Sequence, residues 1–241
     1  MLTKKISKLL SMPMSKSIIV SSVISDAAKS GFFETVDGIS LYYEDTQAPG
    51  EVLFFIYGLG CSISHWKYQM SYFLDKSNKS KGVTQKYRIV WMDFRNHGRS
   101  GKCQSSQLSV VQLAEDVKQC CDVLGIHKAI FLGQSMGGSV LLQLAHSYPK
   151  LVKKMVLQGS PPIAPSRTIC TSPLAPFAWK RMIQLNKLSP MSVRLIHKSL
   201  SGISRPLMEA ARFSGFNPQL VNSDDVMEYV KLLLASDANV F

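Results

Sequence analysis

Residues 133–138 restrict the possible folds of this chain more than any other segment. They read Gly-Gln-Ser-Met-Gly-Gly and lie between an apolar run that predicts a strand, residues 128–132, and one that predicts a helix, residues 139–147. Glycine stands two positions before and two positions after Ser135, where a larger side chain would collide with the neighbouring strand and helix. We therefore expect a tight, strained strand-turn-helix connection that lifts the Ser135 hydroxyl clear of the sheet.

The rest of the chain fits an open α/β sheet. A hairpin is predicted at residues 32–44 around an Asp-Gly turn, and three further largely apolar runs predict buried strands at 51–57, 87–93 and 152–157. Helical patterns follow two of these strands, and Ser109 is the expected N-cap of the second helix, which ends at a glycine, Gly125. Alternation of strand and helix from residue 51 onward is typical of a doubly wound, mostly parallel sheet with right-handed crossovers.

Composition divides the chain into three parts. Residues 1–30 are basic and rich in serine and predict an N-terminal extension, and residues 31–160 predict the α/β core. Residues 161–241 contain several prolines and helical periodicity but no strand-like run, which predicts a helical cap region. With no further strand after 157, the strand at 152–157 would be an apolar sheet edge, so we expect self-association through it.

The Gly-x-Ser-x-Gly pattern at Ser135 favours a nucleophilic serine over a nucleotide-binding loop. A phosphate-binding loop ends in Lys-Ser or Lys-Thr, and a dinucleotide fingerprint places its glycines at the first strand-to-helix turn of the sheet. Neither feature is present in this sequence. A serine hydroxyl loses its proton as it attacks, so such a nucleophile requires a histidine base that an acid orients.

Three motifs, in order along the chain, resemble those of the α/β-hydrolase family, and the resemblance runs from about residue 32 to residue 160. They are Tyr-Gly-Leu-Gly at 57–60, Asp-Phe-Arg-Asn-His-Gly-Arg-Ser at 93–100, and the Ser135 turn. In the family the first motif usually begins with histidine, a packing residue that Tyr57 replaces here. The resemblance implies a sheet of the α/β-hydrolase type with a helical cap.

The same resemblance implies roles for individual residues. Ser135 would be the nucleophile on an elbow between Gly133 and Gly137, and the backbone N–H groups of Leu59 and Met136 would form the oxyanion hole. Because the elbow carries serine and not aspartate, the chain differs from epoxide hydrolases and haloalkane dehalogenases. We expect chemistry on a small-molecule acyl substrate, without a cofactor or a metal.

The sequence lacks the other half of the expected catalytic triad. In the family, the acid follows the strand after the cap and the histidine follows the last strand, but this sequence reaches Phe241 without another strand-like run. Of the five histidines, only His65, beside residues 57–60, is a candidate substitute base. Two hypotheses follow: an impaired serine hydrolase of esters or related acyl compounds, either a fragment or prematurely terminated with its C-terminal strands missing, or a non-catalytic relative that binds a small apolar ligand or a protein partner.

Charge and cysteine content exclude several other classes. The net charge is +12, from 28 Lys and Arg against 16 Asp and Glu, but the basic residues are dispersed and carry no nucleic-acid motif. We expect no nucleic-acid partner and, at most, weak association with an anionic membrane surface. Five cysteines without a Cys-x-x-Cys pair predict neither a disulfide scaffold nor a metal site. No apolar run approaches the ~20 residues of a membrane-spanning helix. A cytoplasmic location is expected, and the alternative is that the basic segment at residues 1–30 acts as a weak targeting signal.

Overall fold

Six strands form one sheet in the computed structural model, which describes residues 28–74, 87–160, 217, 219 and 221–235. The strands occur in the order β1-β2-β4-β3-β5-β6 across the sheet. The first two pair as an antiparallel hairpin, β2 is antiparallel to β4, and β3 to β6 all run parallel. The bounds are β1 Lys29–Glu34, β2 Ser40–Asp45, β3 Glu51–Ile56, β4 Tyr87–Met92, β5 Ala129–Gln134 and β6 Val152–Gln158.

Four α-helices are described with this sheet: α1 Lys67–Leu74, α2 Val110–Val123, α3 Met136–Ser147 and α4 Ser223–Ala235. Two short 3-10 helices are also described, Ile63–Trp66 before α1 and Ser105–Gln107 before α2. Ser109 caps α2 by accepting a hydrogen bond from the Gln112 amide at 3.1 Å. Strand β3 is buried on both faces, since every side chain after Glu51 lies in the core. The predicted mostly parallel sheet with helices is therefore confirmed.

The connection at Ser135 is shorter than the predicted turn of residues 133–138. Strand β5 continues through Gln134, where Gly133 still pairs with β3 and β6, and α3 begins at Met136. Only Ser135 lies between the two elements. The difference arises because glycine usually marks a turn, whereas Gly133 and Gly137 lie inside a regular strand and a regular helix and allow close packing there.

A buried ion-pair network fixes the loop that follows β4. The Arg95 guanidinium is fully buried and donates to both carboxylate oxygens of Asp116 in α2, at 2.5 and 2.7 Å. It also donates to Asp37 at the tip of the β1–β2 hairpin, at 2.8 Å, and this hydrogen bond lowers the pKa of Asp37 to about 2. The loop is thereby tied to two separate parts of the core.

Most of the two predicted flanking regions lies outside the described residues. This applies to residues 1–27 of the predicted N-terminal extension, and to the predicted helical cap region except residues 217, 219 and 221–235. In the described part of the chain, β6 is an edge strand of the sheet, and Val156 and Leu157 on it are more than one third exposed. No helix among those residues is long and apolar enough to cross a membrane.

Candidate active site

Ser135 adopts a backbone conformation that is rare for any residue other than glycine. Its φ is 52° and its ψ is −122°, and it is one of three non-glycine residues with positive φ among the described residues. Such a conformation costs on the order of 1–3 kcal/mol and persists only where the surrounding structure imposes it. Ser135 follows the carboxyl end of β5, the edge of a parallel sheet at which ligands bind in open α/β folds.

The Ser135 hydroxyl is not used for helix capping, although serine at the N-cap of a helix ordinarily serves that purpose. Ser135 occupies the N-cap position of α3, yet its side chain makes no capping hydrogen bond. In the described part of the chain its Oγ has no hydrogen-bond partner, and the residue is only partly buried. The hydroxyl therefore takes no part in capping α3.

Three glycines permit the close packing that holds this turn. A Cβ atom on Gly137 would lie 2.6 Å from the Tyr57 carbonyl oxygen, and one on Gly133 would lie 2.7 Å from a Leu141 methyl group. A Cβ atom on Gly58 would lie 2.9 Å from the Ser135 Cβ. The last contact places the side chain of Ser135 directly against the turn that follows β3.

Two backbone amides adjoin this contact. Leu59 follows Gly58, and Met136 follows Ser135 as the first residue of α3, where an N–H has no acceptor within the helix and lies at the positive end of the helix dipole. Neither amide donates a hydrogen bond to any residue in the described ranges. Two N–H groups without an acceptor among the described residues therefore belong to residues that adjoin the contact between Gly58 and Ser135.

Two hydrogen bonds fix the turn at residues 58–61, one within the turn and one to His97. The Cys61 amide donates to the Gly58 carbonyl oxygen at 3.2 Å, and the Gly60 amide donates to Nε2 of His97 at 3.1 Å. The Nδ1 atom of His97 lies 3.0 Å from the Arg95 carbonyl oxygen. Burial lowers the pKa of His97 below its usual value, which favours the neutral ring that these contacts require.

Tyr57 does more than fill space, which the sequence interpretation did not foresee. Its ring is fully buried, and its hydroxyl donates to Oδ1 of Asp93 at 2.8 Å and accepts from the Phe94 amide at 3.2 Å. The other oxygen of Asp93 accepts from the Arg99 amide at 2.9 Å. Burial raises the pKa of Tyr57, so the phenol stays protonated. The sequence did contain a signal for this role, because a tyrosine at the end of a buried apolar run needs a hydrogen-bond partner for its hydroxyl.

No histidine or carboxylate side chain of the described ranges makes a hydrogen bond to Ser135. The Nδ1 atom of His65, the candidate substitute base, lies 3.2 Å from the carbonyl oxygen of Ser62, and its ring packs edge-on against Tyr229 of α4 at 5.7 Å. Burial lowers the pKa of His65. His127 and His146 are exposed on the surface, and His197 lies outside the described residues.

A buried lysine holds helix α4 next to this site, a contact that the sequence did not reveal. Lys67 is 8% exposed and donates to Asp225 at 2.6 Å and to Glu228 at 3.0 Å. Burial opposes the charge on Lys67, but the two carboxylates outweigh it and raise the pKa. The ring contact between Tyr229 and His65 continues the same interface, so α4 lies close to the turn that carries Leu59.

Comparison with known proteins places these features in a family. The family model described as the alpha/beta hydrolase fold matches residues 51–208. A bifunctional esterase/perhydrolase of Acinetobacter calcoaceticus is 30% identical over 138 residues, which are 55% of this chain and 46% of that protein. A putative carbamate hydrolase, RutD, of Caulobacter vibrioides is 34% identical over 129 residues, 52% of this chain and 44% of that protein.

Solved structures show the same fold. A carboxylesterase structure from the ammonia-oxidizing thaumarchaeon Nitrososphaera gargenis matches with a TM-score of 0.59 at 16% identity, covering 87% of this chain and 68% of that one. The chain spans less than half the length of the two curated relatives above. Within the described ranges no group of three or more His, Cys, Asp or Glu side chains is placed to hold a metal ion. Because the family model covers more than half of the chain and its motifs meet at one edge of the sheet, the chain belongs to the α/β-hydrolase fold family.

Proposed function

We propose that this chain is a serine hydrolase that acts on a small-molecule ester or a related acyl compound, with Ser135 as the nucleophile. The observation that carries the proposal is the backbone of Ser135, which is strained, lies at the N-terminus of α3 and leaves the hydroxyl without a capping role. Strain of this kind persists at functional sites because the surrounding structure imposes it. Gly133 and Gly137 permit the packing that imposes it here.

The proposed reaction begins with attack of the Ser135 Oγ on the acyl carbon. The bond from oxygen to carbon forms as the carbonyl π bond breaks, and the negative charge develops on the former carbonyl oxygen. The N–H groups of Leu59 and Met136 would bind that oxygen, and loss of one such donor typically costs about 3 kcal/mol of transition-state stabilisation. Departure of the leaving group yields an acyl-serine, which water then hydrolyses.

The attack also requires a base that takes the Ser135 proton, and the described residues place none at this hydroxyl. A serine hydrolase without its base and acid retains only the effect of the oxyanion hole and of substrate binding, roughly 10³–10⁴-fold over water. We therefore propose that the described residues supply the nucleophile and the two donors, and that their activity alone is impaired.

The relatives support acyl chemistry. One is named a bifunctional esterase/perhydrolase and another a putative carbamate hydrolase, and esters and carbamates both contain a carbonyl carbon that a serine hydroxyl can attack. The serine at the elbow fits that chemistry, since an acyl-serine ester is an intermediate that water can cleave.

The alternative is a non-catalytic relative that binds a small apolar ligand or a protein partner at the same place. One observation favours it: no histidine among the described residues makes a hydrogen bond to Ser135. The alternative predicts that the chain binds a ligand without turnover. The two functions therefore differ in whether the chain hydrolyses an ester at a rate that depends on the Ser135 hydroxyl.

Hydrolysis of p-nitrophenyl acetate by the purified chain, Ser135→Ala and Ser147→Ala tests the proposal. Ser147 ends the same helix and serves as the matched control. We expect Ser135→Ala to lower the protein-dependent rate by about three- to tenfold, a modest effect because the described residues place no base at this hydroxyl, whereas Ser147→Ala stays within about twofold of the unsubstituted chain. Equal rates for all three proteins would reject the enzymatic proposal and favour the binding alternative.

A further inference from the structure

We propose that His97 is a positioning residue for the oxyanion hole, because it holds the turn that presents the Leu59 amide. This inference rests on the proposed function for its catalytic consequence. Its geometric basis is the hydrogen bond from the Gly60 amide to Nε2 of His97 at 3.1 Å. Gly60 follows Leu59 directly, so the imidazole bonds to the residue next to the proposed donor.

The two contacts of the imidazole determine which nitrogen carries the proton. A carbonyl oxygen only accepts hydrogen bonds, so the Arg95 carbonyl, 3.0 Å from Nδ1, requires a proton on Nδ1. Nε2 of the neutral ring is then an acceptor, which matches the Gly60 N–H that points to it. Each contact therefore requires the tautomer that the other contact requires.

The ring is also fixed in orientation. His97 is 4% exposed and packs against the rings of Tyr57 and Phe94, with centroid distances of 5.9 and 6.2 Å. Arg95, whose carbonyl oxygen accepts from Nδ1, is itself anchored through its guanidinium to Asp116 in α2. The imidazole thus connects the Leu59 turn to a rigid part of the core, which keeps the Leu59 amide in one place relative to Ser135.

Protonation of His97 would break the hydrogen bond from the Gly60 amide to the ring. A proton on Nε2 converts the acceptor into a donor that faces the Gly60 N–H, and one of the two groups has to move away. The titratable groups that face the ring are the Asp93 carboxylate and the Tyr57 phenol, and Arg95 contacts it only through its carbonyl oxygen. Asp93 favours the protonated ring, but burial outweighs this effect and lowers the pKa of His97.

Two substitutions separate the bond to Gly60 from the bond to Arg95. His97→Gln places an amide oxygen near the position of Nε2 and can accept from Gly60. His97→Asn is shorter, keeps a donor for the Arg95 carbonyl and does not reach Gly60. We expect His97→Asn to lower kcat for p-nitrophenyl acetate by about 10- to 100-fold with KM changed less than about twofold, and His97→Gln to recover most of this loss. His127→Asn, at an exposed position, is the control and leaves kcat unchanged.

Two further measurements do not depend on catalysis. Long-range proton–nitrogen NMR spectra of the unsubstituted chain report the His97 tautomer, and amide hydrogen exchange reports the protection of the Gly60 N–H. We expect a proton on Nδ1 alone, and Gly60 protection that falls at least about tenfold in His97→Asn and returns in His97→Gln.

The outcomes distinguish this inference from the proposed function. Loss of the Ser135-dependent rate in Ser135→Ala, together with an unchanged kcat in His97→Asn, would overturn the positioning role and leave the hydrolase proposal standing. Absence of any Ser135-dependent rate would reject the hydrolase proposal, and the Gly60 exchange data would then decide the structural role of His97. A proton found on Nε2 at neutral pH would overturn the inference even if neither variant folds.

Discussion

Substitution of Gly137 by alanine separates the effect of helix propensity from the effect of packing at the Ser135 turn. Propensity alone predicts that Gly137→Ala stabilises the protein, since glycine inside a helix is about 0.5–1 kcal/mol less favourable than alanine. The structure predicts the opposite sign. The new Cβ would lie 2.6 Å from the Tyr57 carbonyl oxygen and 2.8 Å from the Ile56 carbonyl oxygen, both in the backbone at the end of β3.

The size of the destabilisation by Gly137→Ala depends on which groups have to move to make room for the new Cβ. Those carbonyl groups belong to the buried end of a central strand, so no side-chain rotation relieves the contact and α3 has to shift away from β3. Overpacking of this kind costs about 1–3 kcal/mol, and we place this site at about 2–3 kcal/mol because both contacts are with backbone. After the propensity gain is subtracted, we expect a loss of about 1–2.5 kcal/mol and a melting temperature lower by about 2–10 °C.

Thermal unfolding followed by circular dichroism measures this change, and Gly125→Ala is the control. Gly125 has a φ of +64°, but apart from its chain neighbours no described atom lies within 4 Å of an added Cβ, so its substitution costs about 1–2 kcal/mol of backbone strain without moving α3. Only Gly137→Ala should also slow the reaction of Ser135, because the Met136 amide moves with the helix. A melting temperature for Gly137→Ala equal to or above that of the unsubstituted chain would refute the packing argument.

Three further outcomes are expected. Tyr57→Phe leaves an oxygen of Asp93 without its phenol donor and should lower the free energy of unfolding by about 1–3 kcal/mol in urea titrations; an unchanged midpoint would contradict this. Lys67→Met leaves Asp225 without its buried cation and should speed proteolytic cleavage within 223–235, whereas equal cleavage rates would mean that the pair does not hold α4. Burial in the folded protein lowers the pKa of His97 from its usual 6.5, so around and below pH 6.5 the unfolded chain binds more protons than the folded one. The free energy of unfolding should therefore fall as the pH drops below about 6.5. The melting temperature measured between pH 8 and 5 reports this decline, and His97→Gln should flatten it.

The sheet and the order of its elements were predictable because their pattern is local. A strand covered on both faces has to be almost wholly apolar, and residues 51–56 and 87–92 follow that rule closely. The hairpin was marked by its Asp-Gly turn, where Gly38 has a φ of 80°, and α2 by Ser109 at its N-cap. Each of these patterns is encoded within a few neighbouring residues.

Contacts between distant residues were not predictable from one sequence. The partners Lys67 and Asp225 are 158 residues apart, and no local periodicity records such a pairing. The same limit applies to the bond between Gly60 and His97, 37 residues apart, although a histidine in the motif at 93–100 was visible. The length of the Ser135 turn was overestimated because glycine serves turns and close packing alike, and only the packed structure distinguishes the two uses.

Covalent labelling with a fluorophosphonate probe, followed by mass spectrometry of the digested protein, tests the central role of Ser135 most directly. An activated serine hydroxyl attacks phosphorus and keeps the probe, whereas an ordinary surface serine does not. We expect one probe adduct on the peptide that contains residues 133–138, and no adduct in Ser135→Ala. An unlabelled chain, or labelling that persists in Ser135→Ala, would contradict it.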